Sequence, residues 1–389
     1  MISVEEAKAL LMSKVYRLPA EGKPLRSGGY AAKEVFAPHD HPLFDCSAVD
    51  GYAFAFDTDM KAWNVVGEVP AGRVFAGELK PGECLRIFTG ALVPASVDTV
   101  VMQEFVQRED DRITHTDVKL KAGGNVRKKG EQVRAGDRLL EAGARLDAVA
   151  IGLLASCGIR EVAQYVTPRV AVIVTGDEFS ADATPAPGRI FSSNDVMLLA
   201  ALTEQGINGE LLHAKDSTDA LLGAFGKASV NADLVITTGG ASVGDHDLIK
   251  PVLEAMGATI HFHGVAQKPG KPMLFASLGD TPIIALPGNP RAVLILFWEY
   301  VLPFLRAKQG ARDPWLGTEH LPITHAVTLK GDRAEFRAAQ VKDGRVTLLA
   351  DEGSHMLRSL VDADVLAYFP ATMRTVNTNE PVEVHHLPR

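Results

Sequence analysis

The sequence predicts a multidomain chain that combines α/β and β architecture, with a three-layer α/β domain at its centre. Three observations predict it. At 389 residues the chain is too long for one ordinary domain. Between about Arg169 and Gln309, strand-like and helix-like patterns alternate. On either side of that region, short apolar runs are separated by glycines, prolines and charged turns, which is the texture of β-rich domains.

Ser3 and Glu6 have capping-box spacing, and Val4, Ala7, Leu10, Leu11 and Val15 follow at helical intervals, so a first helix should end before Pro19. From about Tyr52 to Leu146, runs such as Trp63-Asn-Val-Val, Leu85-Arg-Ile-Phe and Thr99-Val-Val-Met read as short strands. Val170-Ala-Val-Ile-Val is a continuous apolar run of the kind buried on both faces of a parallel sheet. One helix should follow Ser192-Ser-Asn-Asp and stop at Gly206; another should follow Asp216 with Leu221, Leu222 and Phe225 inward. Residues 233–236 form the next strand, and a helix capped near Asp245 or Asp247 runs to Gly257. A strand at 260–265, a hairpin pairing 273–276 with 282–286, and a long apolar helix from about Pro290 to Lys308 complete the α/β region. The tail returns to strands at 334–341, 345–349, 365–369 and 382–384, simplest as a small barrel or sandwich.

Composition excludes several functions. A formal net charge of −8 with no long Lys/Arg run argues against a nucleic-acid surface; Arg127-Lys128-Lys129 is the densest cationic cluster. Cys46, Cys84 and Cys157 lie far apart, without disulfide or zinc spacing, as expected in a reducing cytoplasm. No apolar run approaches the roughly 20 residues of a membrane span, and the N-terminus is acidic, so the expectation is a soluble, unexported protein with no membrane contact. His39, His41, His261, His263, His385 and His386 are scattered or paired without carboxylate or cysteine support for a metal set and read as surface or core histidines.

Three strands of the α/β region each empty into a special loop: Thr175-Gly-Asp-Glu, Thr238-Gly-Gly-Ala-Ser-Val-Gly-Asp, and Leu286-Pro-Gly-Asn-Pro. Any one alone is equally well a tight turn. Ligands of open α/β sheets bind beyond the carboxyl ends of the strands, so the three should converge on a phosphate-bearing ligand. Gly239, Gly240 and Ser242 would cradle phosphate through backbone amides, and Lys268 and Lys271 around Pro269-Gly270 would add point charges. Glu178, Asp245 and Asp247 offer oxygen ligands of the kind Mg²⁺ takes alongside phosphates, although helix capping explains one of the aspartates without a metal. In the β-rich part, Asp50 stands before a glycine, and Thr89-Gly90 follows a strand. Each is weak alone.

Together these strings resemble the molybdopterin molybdenumtransferase family, which includes bacterial MoeA and the E domain of gephyrin. The resemblance is carried by Ser47-Ala-Val-Asp-Gly-Tyr-Ala, Arg86-Ile-Phe-Thr-Gly-Ala, Asp98-Thr-Val-Val-Met-Gln-Glu, Val126-Arg-Lys-Lys-Gly-Glu and the four loops at Thr175, Gly239, Lys268 and Leu286, in family order over nearly the whole chain. It implies four domains: an elongated linking domain from 1–45 with 142–168, a β-rich domain over 46–141, an α/β molybdopterin-binding domain over 169–312 and a C-terminal β-barrel-like domain over 313–389. It implies a homodimer with a cleft between the α/β domain of one subunit and the β-rich domain of the other. The implied reaction takes adenylylated molybdopterin and molybdate as substrates and releases AMP with Mg²⁺, leaving molybdenum on the dithiolene sulfurs. Implied partners are molybdopterin adenylyltransferase and the molybdoenzymes that accept the cofactor.

By position, Asp50, Glu178, Asp216 and Asp247 fall on acidic positions that the resemblance links to activity, and Arg127, Lys268 and Lys271 on basic ones. Thr89, Gly90, Gly239, Gly240, Ser242, Pro287, Gly288, Asn289 and Pro290 fall on its substrate loops. The sequence departs from the family pattern at Gln132, where an aspartate is usual after the basic run, and at Tyr30, where an arginine is usual; Val49, Phe88 and Ala241 are conservative replacements. Gln132 keeps open a second class of function, a molybdopterin-binding scaffold or carrier without turnover. A third, adenylyl transfer to molybdopterin, would not require the Asp50 and Thr89 loops.

Overall fold

Val170–Thr175 is buried at every position, which a strand achieves only where both faces of its sheet are covered. In the computed structural model, which describes residues 1–180, 184–239, 248–350, 353 and 355–388, it lies second in a six-stranded sheet. The order is Gly209–Ala214, Val170–Thr175, Leu234–Thr238, Thr281–Leu286, Leu274–Leu278 and Thr259–His263. The first four strands are parallel, and Leu274–Leu278 is antiparallel to both of its neighbours. Alternation along Val170–Thr175 sends Val170, Val172 and Val174 to one core, shared with Leu198 and Leu202 of the helix Asn194–Thr203. Ala171 and Ile173 face the other core, with Leu221 and Phe225 of Thr218–Asn231 and Val252 of Ile249–Ala255. That is the expected three-layer arrangement.

Leu221, Phe225 and Ala228 of Thr218–Asn231 are buried, and Leu222, half-buried, packs against the same core. One local expectation is corrected. The helix leading to Gly257 begins at Ile249 with Leu248 at its N-cap and no side-chain cap; Asp245 and Asp247 lie outside the described residues. The long apolar helix is present as Pro290–Leu296 and Leu302–Lys308 joined by a π turn over Phe297–Val301. Pro303 has no N–H for the α ladder, and a wider turn just before it re-spaces the bonds.

The chain divides into two units, residues 1–33, 142–146 and 163–389, and residues 34–141 with 147–162. Within the larger one, the tail builds a sheet ordered Gln267–Lys268, Ala334–Lys342, Val365–Phe369, Pro381–His386 and Thr318–Pro322, with Arg345–Leu348 also paired to Ala334–Lys342. Its first strand comes from the α/β region. Gln267 and Lys268 run parallel to Ala334 and Glu335, a pairing too short to show as a sequence pattern. The smaller unit holds a sheet ordered Thr99–Met102, Gly51–Phe54, Glu83–Ile87, Trp63–Val69, Arg112–His115 and Val106–Glu109. Among the described residues, no helix is long and apolar enough to cross a membrane.

The larger unit is also tied by buried charge. Glu299, in the π turn and 1% exposed, accepts from Lys8 Nζ at 2.6 Å, and its other oxygen lies 2.7 Å from His385 Nδ1. His385 Nε2 lies 3.1 Å from Glu383. His385 therefore has carboxylates on both ring nitrogens, contrary to the sequence reading: Glu383 lies two residues back on the same strand, and Glu299 reaches it only through the fold. Burial works against the Glu299 carboxylate, but His385 and Lys8 outweigh it and hold the group below the usual range. Removing one partner of such a buried set typically costs about 3–5 kcal/mol.

Lys308 is the opposite case. It is fully buried, its Nζ has no hydrogen-bond partner among the described residues, and it rests on the Tyr16 ring 3.2 Å from the centroid. Burial pushes the ammonium down from 10.5 to about 8, with Asp233 opposing. Below pH 8 the amine is charged in both folded and unfolded chains, and the desolvation cost is felt in full. Between pH 8 and 10.5 the folded state has shed a proton that the unfolded chain keeps, so this contribution to stability rises with pH. Lys308→Met is therefore expected to be more stable than the parent at pH 7 in urea unfolding, with the gap closing from pH 8 to 10.5.

Candidate active site

The strand ends of the α/β sheet are held together by one side chain. Asn194 is 5% exposed in the first turn of its helix. Its Nδ2 donates to Thr238 Oγ1 at 2.9 Å and to the Gly288 carbonyl at 2.8 Å. The Thr238 hydroxyl in turn donates to the Pro287 carbonyl at 3.1 Å. Gly239, at φ +88°, closes the set: a Cβ there would lie 2.5 Å from the Thr175 carbonyl and 2.6 Å from its hydroxyl. The three strand ends do converge; of the middle loop Gly239 alone is among the described residues. Thr175 Oγ1, Ser192 Oγ and Asn194 Oδ1 are buried without a hydrogen-bond partner among the described residues.

Beside this clamp, a cavity of about 540 Å³ is lined by Lys268, Gly270, Lys271, Pro287, Asn289 and Arg333, among others, and by no carboxylate among its described residues. Three cations in one cavity of an acidic chain are an anion site in the making. The Lys268 loop is braced from behind. The buried Tyr300 hydroxyl donates to Gln267 Oε1, and Gln267 Nε2 donates to the Pro269 carbonyl at 3.2 Å. Burial holds the Tyr300 phenol well above its ordinary pKa, so it remains a donor at any working pH. Arg291, 1% exposed just after Pro290, donates to the Met356 carbonyl at 3.4 Å and to Ser359 Oγ, fixing tail residues near the cavity wall that includes Gly353.

The remaining residues from the sequence fall into separate places. Glu178 is exposed beyond Thr175, its carboxylate folded so close over Gly176 that a Cβ there would lie 2.4 Å from Oε2. Asp216 is exposed beyond the edge strand Gly209–Ala214. Three strand spacings separate that strand from Thr281–Leu286, roughly 14 Å, and Asp216 does not line the cavity. Gly240, Ser242, Asp245 and Asp247 lie outside the described residues. Among the described residues no group of three or more histidine, cysteine or acidic side chains stands together as a metal site, so Glu178 alone represents the expected magnesium ligands.

In the smaller unit, Asp50 Oδ1 accepts from the Thr89 amide and hydroxyl, both at 2.8 Å. These bonds, the amide foremost and Arg86 more remotely, hold the exposed Asp50 carboxyl below its usual range. Gly90 N–H donates to the Ser47 carbonyl at 2.8 Å, and Arg127 pairs with Cys46 across a short ladder, so Asp50, Thr89, Gly90 and Arg127 share one neighbourhood. The Asp50-Gly51 pair is more than a turn. Gly51 opens a strand where a Cβ would lie 1.8 Å from the Val101 carbonyl. Gln132 is exposed, its N–H donates to the His41 carbonyl at 3.1 Å, and its side chain makes no hydrogen bond among the described residues. The loop's shape does not depend on a carboxylate at this position.

Comparison with known proteins settles the family. Residues 2–158 match the MoeA N-terminal region (domain I and II), 171–307 a probable molybdopterin binding domain, and 320–387 the MoeA C-terminal region (domain IV). The chain is 35% identical over 381 residues to the molybdopterin molybdenumtransferase of a Nostoc species, covering 93% of this chain and 87% of the relative. It belongs to the molybdopterin molybdenumtransferase family. The Haemophilus influenzae molybdopterin molybdenumtransferase is 33% identical, covering 99% of this chain and 98% of its own length. Crystal structures of the Pyrococcus horikoshii molybdopterin biosynthesis MoeA protein superpose with a TM-score of 0.82 at 26% identity over 100% of both chains, and 0.77 at 30% identity over 99% of both. The multidomain fold is thus that of the MoeA family.

Asn194 and Arg333 escaped the sequence reading. Asn194 stood in a string taken only as a helix start, and Arg333 is one arginine before a strand; neither carries a motif. A further test of the cavity lies in Gly270. Its φ of +91° and its position against the buried Leu296, which a Cβ would approach to 2.8 Å, admit only glycine. Gly270→Ala should lower unfolding stability by about 1–3 kcal/mol. Molybdate affinity, measured by calorimetry, should fall with it as Lys268 and Lys271 are displaced.

Proposed function

We propose that the protein inserts molybdate into adenylylated molybdopterin and releases AMP, as a molybdopterin molybdenumtransferase of molybdenum cofactor biosynthesis. The observation that carries this reading is the cavity with Lys268, Lys271 and Arg333, without a carboxylate among its described residues, beside the strand ends that Asn194 clamps. Molybdate is a dianion and the second substrate bears phosphates, so an otherwise acidic chain needs a local cationic pocket to hold both. Lysine supplies compact point charge there, and the Arg333 fork suits a tetrahedral oxyanion. Breaking the phosphoanhydride requires one water: its oxygen ends on phosphorus, AMP departs, and the pterin keeps its own phosphate.

In this proposal Glu178 would share a magnesium ion, which would offset pyrophosphate charge. Asp245 and Asp247 complete the donor set in this proposal, and Asp50 and Asp216 are its further acidic groups. The proposal includes a homodimer in which the Asp50 and Thr89 loops of one copy serve the cleft of another, with Arg127 contributing positive charge. It places molybdopterin adenylyltransferase upstream, molybdoenzymes downstream and the reaction in the cytoplasm. The support for these parts is the family resemblance of the loops.

A single-turnover assay with adenylylated molybdopterin and molybdate tests the reading. Molybdate-dependent AMP release is expected from the parent chain. Lys268→Ala should weaken molybdate use at least about tenfold, and Glu178→Ala should slow release by about 10²-fold. Binding of molybdopterin without AMP release would favour a carrier, and full release by both variants would remove the assigned roles.

A further inference from the structure

A second cavity, of about 460 Å³, lies within the larger unit and is claimed by no part of the proposed reaction. It is lined by segments 23–29 and 164–167 together with Gln205, Gly206 and Gln309. Gln205 and Gly206 precede the edge strand Gly209–Ala214, so this cavity opens at the amino end of that strand, whereas the strand-end loops lie beyond the carboxyl ends. Its volume is within the range of small-molecule sites.

Its chemistry is one-sided. Lys23 and Arg26 line it, and among the described residues no aspartate or glutamate does, in a chain with a formal net charge of −8. The carboxylate paired with Lys23 belongs to Glu21, which is outside the lining, 3.5 Å away and 60% exposed, so it screens the ammonium weakly. Arg26 makes no ion pair among the described residues. The Arg17 guanidinium, outside the lining, lies 5.9 Å from the centre of the Tyr165 ring, which is in it.

The wall is built rather than incidental. Gln164, 5% exposed, donates from Nε2 to the Pro24 carbonyl at 3.3 Å and to the Lys23 carbonyl at 3.5 Å, joining the two segments. Its Oε1 leaves room only for glycine at 29, where a Cβ would lie 2.4 Å away. Gln309, also 5% exposed, belongs to the lining, as do the exposed Ser27 and Thr167. Two cations together with amides and hydroxyls in one lining match an oxyanion joined to a polar, hydroxyl-bearing body.

We propose that this cavity is a binding site for a phosphate ester of up to mononucleotide size, separate from the transfer site. Calorimetry on the full chain tests it, with AMP and inorganic phosphate as probes. A Lys268→Ala, Lys271→Ala background removes the cationic pair of the other cavity. In that background AMP is expected to bind at one site, at least tenfold tighter than inorganic phosphate. Adding Lys23→Gln with Arg26→Gln should weaken AMP at least about tenfold, by loss of two charge-assisted contacts. Lys23→Arg should retain binding, and Ser27→Glu, which places a carboxylate in the lining, should abolish it while leaving the melting temperature in place. Unchanged AMP affinity in the Lys23, Arg26 variant would overturn the proposal, as would absence of AMP binding in the background. Equal affinity for AMP and inorganic phosphate would overturn the ester.

Discussion

The two hydrogen bonds donated by Asn194 are the constraint on which the candidate site depends. Parallel strands deliver their carboxyl ends to one edge of a sheet, but the sheet alone does not fix the loops beyond them. One buried amide spans Thr238 and Gly288, Thr238 passes the restraint to Pro287, and Gly239 fits against Thr175 only because it lacks a Cβ. Each bond is worth about 1 kcal/mol net in stability, a small sum. Its larger effect is geometric, because Pro287 and Asn289 enter the cavity from the loop that Asn194 holds. A polar group buried this deeply has no solvent to fall back on, so the loop has one low-energy position.

Charge is distributed on the same logic. The chain as a whole is acidic, yet the described residues lining the cavity of Lys268, Lys271 and Arg333 include no acid. Mutual repulsion among the three cations is tolerable only while their loops cannot relax apart, and the Tyr300–Gln267 brace and the Gly270–Leu296 contact prevent that. Behind them, Lys8, Glu299 and His385 bind the first helix, the π turn and the last strand into one unit, so the tail strand that pairs with Gln267 and Lys268 is itself anchored. The anion site is a local exception, supported behind by the paired charges of the Glu299 cluster.

Much of the fold was legible in the sequence. The run at Val170 announces a strand buried on two faces because no residue in it prefers water, and Ser3 with Glu6 announces a helix start because both partners of the capping box lie within four residues. The strand-end loops were legible for a similar local reason, since glycine and proline mark backbone shapes that other residues resist. Features made by distant residues were not. Asn194 acts on partners 44 and 94 positions away, and the Glu299 cluster joins residue 8 to residue 385. The strand at Gln267 and Lys268 is too short for alternation to appear, and the need for glycine at 51 comes from the Val101 carbonyl of another strand. Gln132 marks a missing charge in the family pattern, and its side chain makes no hydrogen bond among the described residues, so the local fold does not rest on it.

Molybdate binding to an Asn194→Leu chain tests the central claim most directly. Leucine keeps the bulk near the helix start and removes both donated bonds. With a preformed cavity held by Asn194, calorimetry should find molybdate affinity reduced at least tenfold while the melting temperature falls by only a few degrees, as expected for the loss of about 2 kcal/mol. Parent-like affinity in a folded Asn194→Leu chain would contradict the account, because the loops would then hold their anion-binding geometry without the clamp.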